Sequence, residues 1–180
     1  MNLYVMRHGT TVWNEKGITQ GRSNNRLSKK GIELTKKSAL NFKNQKIDVI
    51  ITSPLMRTIQ TANIVNKYHN AKILKDELLI EIDQGIFTGR ISKSLSKEEL
   101  VLKKTRSKLA KMESYENCFQ RAKSFITTIK QKYNYQNVLV ITHNCVATFI
   151  ENILLKKPIN FNDAKFLVNF NNAEIKKFQI

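Results

Sequence analysis

The chain opens Met1-Asn2-Leu3-Tyr4-Val5-Met6 and continues Arg7-His8-Gly9-Thr10-Thr11. A short apolar run rich in β-formers stops at a cation, an imidazole and a glycine. In an open α/β sheet, ligands bind beyond the carboxyl ends of the strands. Arg7 and His8 therefore fall where such a fold does its chemistry. Gly9, with no Cβ, is expected to let the backbone approach a bound group closely.

The same pattern recurs downstream. Asp48 to Thr52 reads as a compact apolar strand, followed at once by Ser53-Pro54. Serine is expected as the N-cap of the next helix and proline at its first position. That helix has Leu55, Ile59 and Ala62 on one face. Arg57 lies in its first turn, where a cation is unfavourable unless an anion sits beside it. Asn137 to Thr142 is a buried strand that ends on Thr142-His143-Asn144, and a helix follows with Val146, Phe149, Ile150, Ile153 and Leu154 inward. Three strand ends thus carry Arg7-His8, Arg57 and His143.

The elements between them alternate. Ser28 caps a helix to about Lys43, with Ile32, Ala39 and Leu40 inward. The polar stretch from His8 to Leu27 reads as a long loop. A short strand at Lys72 to Leu74 leads into an apolar run, 78–83, that contains Glu81 and Asp83. The basic segment 92–112, with the capping box Ser96-x-x-Glu99, reads as a helical lid. Tyr115 to Lys132 is a helix with Tyr115, Phe119, Ala122, Phe125, Ile126 and Ile129 as its core stripe. Two strands, near Lys165 to Phe170 and Glu174 to Phe178, finish the sequence. This order predicts an α/β fold in three layers: a mostly parallel central sheet flanked by helices, with a small helical lid insertion near residues 90–112. Residues 1–180 are expected to form a single domain.

Composition narrows the function. The sequence is 41% hydrophobic and 25% charged, an ordinary globular mixture. No stretch resembles a signal peptide or a membrane span, so the expected location is cytoplasmic. Cys118 and Cys145 have no metal or disulfide-framework spacing, and Cys145 is expected to be a packing residue. The net charge of +17 comes from 31 Lys and Arg against 14 Asp and Glu. Those lysines are dispersed and have no interleaved aromatic residues, so no specific nucleic-acid binding is expected. His69 lies in a polar stretch and reads as a surface residue.

Two arginines, two imidazoles and a carboxylate suit phosphoryl transfer. Arg7 and Arg57 can each grip phosphate oxygens in pairs. One of the two histidines can be a nucleophile if neighbouring guanidiniums keep it neutral, and the other can donate to an equatorial oxygen. Glu81 can protonate the leaving oxygen and then deprotonate water, with Asp83 the next candidate for that role. The arginines supply the charge a metal would bring, so no metal and no cofactor are expected.

The ordered set of motifs resembles the histidine phosphatase superfamily, also called phosphoglycerate-mutase-like. The matching residues are Arg7-His8-Gly9-Thr10 with Trp13-Asn14, Gln20-Gly21, and Leu27-Ser28-x-x-Gly31. Ser53-Pro54-Leu55-x-Arg57-x-x-x-Thr61-Ala62 follows, then Glu81 with Gly85 and Gly89, Glu113-Ser114 before Arg121, and Val140-x-Thr142-His143. The resemblance implies that His8 is the phosphorylated nucleophile, that Arg7, Arg57 and His143 hold the phosphoryl group, and that Glu81 is the proton donor. It places Asn14, Gln20, Gly21 and Asn144 at the substrate. The expected activity is hydrolysis of a small phosphorylated metabolite through a phosphohistidine. The alternatives are a cofactor-dependent phosphoglycerate mutase and a non-catalytic phospho-ligand-binding relative. The sequence departs from the family in Asn144-Cys145, in Phe87-Thr88-Gly89 and across 90–112, and it sets no oligomeric state.

Overall fold

The computed structural model describes residues 1–132, 135–161 and 170–180. Four strands run parallel: β1 (Asn2–Arg7), β2 (Val49–Thr52), β3 (Lys72–Lys75) and β4 (Asn137–Thr142). The last strand, β5 (Ile175–Gln179), pairs antiparallel with β1. The spatial order is β3-β2-β4-β1-β5. β4 therefore lies between β1 and β2, and this insertion makes the site. Arg7 pairs with Thr142, and Thr52 with Ile141, so the carboxyl ends of all three strands finish level.

Successive strand residues point to opposite faces. On one face Leu3, Val5, Ile51 and Val140 pack against α5 (Tyr115–Lys132) and α6 (Asn144–Leu154) through Phe125, Ile129, Val146 and Phe149. On the other, Tyr4, Met6, Ile50 and Ile141 meet Ala39, Phe42, Ala62 and Val65. Those four belong to α2 (Lys29–Phe42) and α3 (Met56–Val65). Both faces are covered, which is why the parallel strands read as nearly continuous apolar runs. The three-layer expectation holds.

Local readings differ in several places. The loop after His8 contains a short helix, α1 (Val12–Glu15), capped by Thr11, whose hydroxyl accepts from the Asn14 N–H. In α2 the inward face is Gly31, Thr35, Ala39 and Phe42, whereas Leu40 is 48% exposed because it lies about 100° round from Ala39. Run 78–83 is not a strand. It contains a 3₁₀ turn at Glu77–Leu79, and its carbonyls bond to side chains rather than to a ladder. His69 is not a free surface residue, since its ring packs edge-on against Phe42 at 5.4 Å. The strand expected near Lys165 to Phe170 lies, apart from Phe170, outside the described residues.

The lid is present. α4 (Lys97–Lys104) has the capping box at Ser96 and Glu99. Phe87, Leu95 and Ala110 form a small core of its own, separate from the two sheet faces. Among the described residues, no helix is long and apolar enough to cross a membrane.

Candidate active site

His8 leaves β1 held on both sides. Its N–H donates to the Thr142 carbonyl at 3.0 Å, and its carbonyl accepts from the Asn172 amide at 3.0 Å. Gly9 then lies on α2. A Cβ there would come 2.2 Å from Thr35 Oγ1, so the glycine serves packing against the helix rather than approach to a ligand. Gly9 N–H donates to Thr61 Oγ1 at 3.0 Å, which ties the loop to α3.

The two imidazoles face each other with ring centroids 5.2 Å apart. Arg57 lies between them. Its Nε is 3.2 Å from His8 Nε2 and 3.1 Å from His143 Nδ1. Its other nitrogens donate to the Ser23 and Gly21 carbonyls at 2.6 and 2.9 Å. This fixes the protons on both rings. His8 Nδ1 is 2.7 Å from the Gly9 carbonyl, which can only accept, so Nδ1 holds the hydrogen. Nε2 is then the lone-pair nitrogen and points at the guanidinium. On His143 the Nδ1 faces a donor, so the hydrogen lies on Nε2, 2.8 Å from Ser53 Oγ.

Ser53 is therefore not the N-cap that its position before Pro54 suggested. α3 starts three residues later, with Leu55 at its N-cap and no side-chain cap bond. The Ser53 hydroxyl meets His143 Nε2 at 2.8 Å and accepts only a longer bond, 3.4 Å, from the Leu55 N–H. Sequence reasoning missed this role, and nothing in the local sequence separates a capping serine from one that supports a histidine 90 residues away.

Electrostatics keep both rings neutral. Burial lowers the His8 pKa well below its ordinary value, and the Arg57 and Arg7 guanidiniums lower it further. Burial and Arg57 do the same to His143. Arg57 itself is brought down to about 10, first by burial. Below about pH 6.5 the unfolded chain binds protons at both histidines that the folded chain refuses. Stability must therefore fall on acidification from about pH 6.5, by up to ~1.4 kcal/mol per pH unit for each ring. Urea midpoints are expected to drop between about pH 6.5 and 5, and a His8→Asn/His143→Asn variant should flatten that slope. An unchanged slope in the variant would contradict the assignment.

Arg7 Nη1 donates to the Phe170 carbonyl and reaches Asn144 Oδ1 at 3.5 Å. Its Nε is buried with no partner among the described residues. Asn144 opens α6, whose first N–H groups have no intrahelical acceptor, a place that favours an anion. Asn14 Oδ1 accepts from the Thr11 N–H at 3.0 Å, leaving its amide N–H groups for the cleft. Gln20 Oε1 accepts from the Thr11 hydroxyl at 2.9 Å. Gly21, at φ +50°, turns the loop so that its carbonyl meets Arg57.

Glu81 is fixed through its backbone. The Thr142 hydroxyl donates to the Leu79 carbonyl at 2.8 Å. Arg121 donates to the Leu78 and Ile80 carbonyls at 2.8 and 3.0 Å, and Arg22 to the Glu81 carbonyl at 3.1 Å. Glu113 holds Arg121, at 2.8 Å, and Arg22, at 3.1 Å. The motif residues Glu113 and Arg121 thus brace the Glu81 segment from outside the cleft. Sequence alone left open whether burial or the arginines control the Glu81 carboxyl. Burial dominates, and the pKa is raised despite Arg57, Arg7 and Arg121. Asp83 is turned away, its Oδ1 accepting from the Gly85 N–H at 2.8 Å.

All nine residues expected at the site line one cleft or touch it. Arg7, His8, Asn14, Gln20, Gly21, Arg57, Glu81 and Asn144 line a space of about 240 Å³. His143 lies behind, fully buried, against Arg57. Gln84, Arg106 and Tyr115 also line it and were not foreseen. Cys145 packs in the cleft wall, its thiol pKa pushed up by burial.

The sequence model of the histidine phosphatase superfamily (branch 1) matches residues 3–180. Phosphoserine phosphatase 1 of Hydrogenobacter thermophilus is 28% identical over 149 residues, covering 79% of this chain and 71% of that protein. The crystal structure of phosphoglycerate mutase from Bacillus anthracis superposes with a TM-score of 0.81 at 27% identity, over 98% of this chain and 86% of that one. The alpha-ribazole phosphatase from Shigella flexneri shares the fold with a TM-score of 0.85 at 22% identity, over 100% and 91% of the two chains. The fold and family define a phosphatase-class enzyme. The chain belongs to the histidine phosphatase superfamily, branch 1.

Proposed function

We propose that this enzyme hydrolyses a small phosphomonoester in two steps through a phosphohistidine on His8. One observation carries the reading: a neutral, buried His8 turns its single lone-pair nitrogen, Nε2, into a cleft lined by Arg7, Arg57 and a carboxyl with a raised pKa.

In the first step His8 Nε2 attacks phosphorus. The bond to the ester oxygen breaks, and Glu81 gives that oxygen its proton. In the second, Glu81 takes a proton from water as the water oxygen attacks phosphorus. The nitrogen–phosphorus bond breaks and inorganic phosphate leaves. Arg57 and Arg7 spread the charge of the transferring group, and the first N–H groups of α6 add to this. Ser53 hydroxyl can donate as well as accept. His143 can therefore exchange tautomers and offer Nδ1–H to a phosphoryl oxygen while Ser53 donates to Nε2.

Phosphatase names among the relatives support hydrolysis, and the mutase neighbour marks the competing outcome. Assays of phosphate release and of phosphoglycerate isomerisation on the same preparation separate them. Release without isomerisation is expected, and isomerisation outpacing release would overturn the phosphatase reading.

Glu81 is tested through the leaving group. Glu81→Gln is expected to slow single-turnover phosphorylation by an alkyl phosphate by roughly 10²–10⁴-fold. Phosphorylation by p-nitrophenyl phosphate, whose phenolate departs without a proton, should lose far less. An equal loss for both would exclude Glu81 as the acid.

A further inference from the structure

The lid is closed at its base by one side chain. The stretch that carries Glu81 runs into the lid at Asp83, and the chain leaves it at Glu113. The two backbones are paired there. The Glu113 N–H donates to the Asp83 carbonyl at 3.2 Å, and the Asp83 N–H donates to Glu113 Oε2 at 3.2 Å. Gly85 sits so close to the returning chain that a Cβ on it would lie 2.0 Å from the Ala110 carbonyl oxygen.

Arg106 reaches into this base from inside the lid, just beyond α4. Its Nη2 donates to the Asp83 carbonyl at 2.5 Å, and its Nε donates to the Glu113 carbonyl. One planar guanidinium thus spans the entering and the leaving chain. A fixed fork of donors suits that task, and the single ammonium of a lysine does not. Arg106 is 9% exposed, and its guanidinium carbon stands 4.8 Å from the Tyr115 ring centroid. Its backbone is held at φ +48°, in the left-handed region, where a residue with a Cβ stays only if its surroundings fix it.

What the base holds is the acid. Glu81 Oε1 accepts from the Ile82 N–H at 3.0 Å, so the peptide that follows Glu81 aims its carboxyl. The next N–H, that of Asp83, is bound by Glu113, and the Asp83 carbonyl is bound by Arg106. Arg121 and Arg22 hold the carbonyls of Leu78, Ile80 and Glu81 on the other side of this point. Arg106 is the anchor that comes from the lid. A displacement of about 1 Å at a reacting group can cost about a hundredfold in rate.

We propose that Arg106 is a positioning residue for proton transfer: it clasps the base of the lid, so that the folded lid sets where the Glu81 carboxyl lies. This rests on the reading of Glu81 as the acid. It gives the lid a part in the chemistry that does not depend on which phosphomonoester is bound.

The test is a double-mutant cycle read in single-turnover phosphorylation. Arg106→Met is expected to slow the reaction with an alkyl phosphate by about 10- to 100-fold. With p-nitrophenyl phosphate, whose leaving group needs no proton, the loss should stay under about threefold. In a Glu81→Gln background, Arg106→Met should cost almost nothing further with the alkyl phosphate. A guanidinium that gripped the substrate would instead slow both compounds alike and keep its cost in that background. Arg106→Lys keeps the charge without the fork. It should lose nearly as much as Arg106→Met, and it carries the cycle if methionine loosens the whole fold. Equal losses for the two compounds, or a full further loss on top of Glu81→Gln, overturns the proposal. Hydrogen exchange makes the test independent of turnover. The Asp83 and Glu113 amides should exchange at least about tenfold faster in either variant, while the β1 and β4 amides stay as protected as in the wild type. Faster exchange there, beside a Glu81→Gln variant that treats both phosphates alike, supports the clasp and sinks the assignment of Glu81 as the acid alone. Wild-type exchange at Asp83 and Glu113 overturns the clasp.

Discussion

Arg57→Met is expected to remove activity by about a thousandfold or more while shifting the stability of the fold by no more than about 1 kcal/mol. The two effects separate because Arg57 is placed for an anion, not for the fold. Its Nε touches both imidazoles, and its remaining nitrogens donate only to the Ser23 and Gly21 carbonyls. No carboxylate among the described residues lies within ion-pair distance of it. Burial brings its pKa down to about 10, a sign that its charge is held at a cost. A methionine fills the same space without that cost, which offsets the lost bonds to neutral acceptors, each worth only about 1 kcal/mol net. Vanadate should raise the melting temperature of the wild type and leave Arg57→Met unmoved. A variant that unfolds, or that retains a tenth of the activity, contradicts this account of Arg57.

His8→Ala is expected to cost still more, at least about 10⁴-fold in kcat, because it removes the atom we propose bonds to phosphorus. No neighbour can replace it. His143 Nδ1 faces Arg57 and its Nε2 faces Ser53. Cys145, the other nucleophile in the cleft wall, has its thiol held protonated by burial. Residual turnover within tenfold of wild type would mean that hydrolysis proceeds by direct attack of water.

Much of this was legible in the sequence because α/β folds place function at strand ends. Arg7-His8 and His143 sit where apolar runs of β-formers stop, and the sheet order puts those two strands side by side. What was not legible depends on side chains meeting across the fold. Ser53 before Pro54 satisfies every local rule for a helix cap, yet its hydroxyl makes its short contact with His143, just beyond the end of another strand. Run 78–83 has the composition of a strand, but Arg121, Arg22 and Thr142 claim its carbonyls before a ladder can. Leu40 is apolar and lies in an amphipathic helix, and still faces water, since Thr35 and Phe42 set the buried stripe. Arg106 sits in a lysine-rich segment that reads as a helical lid, and only the folded lid shows that this side chain is buried against Tyr115.

The central claim is that phosphorus passes through His8. Brief mixing with a ³²P-labelled phosphomonoester, an alkaline quench and peptide mapping tests it directly. Label that survives base, is lost in acid and maps to the peptide containing His8 is the expected result, with none on Glu81→Gln/His8→Ala protein. Full turnover with no trapped label at any quench time, or label that maps to another residue, would contradict it.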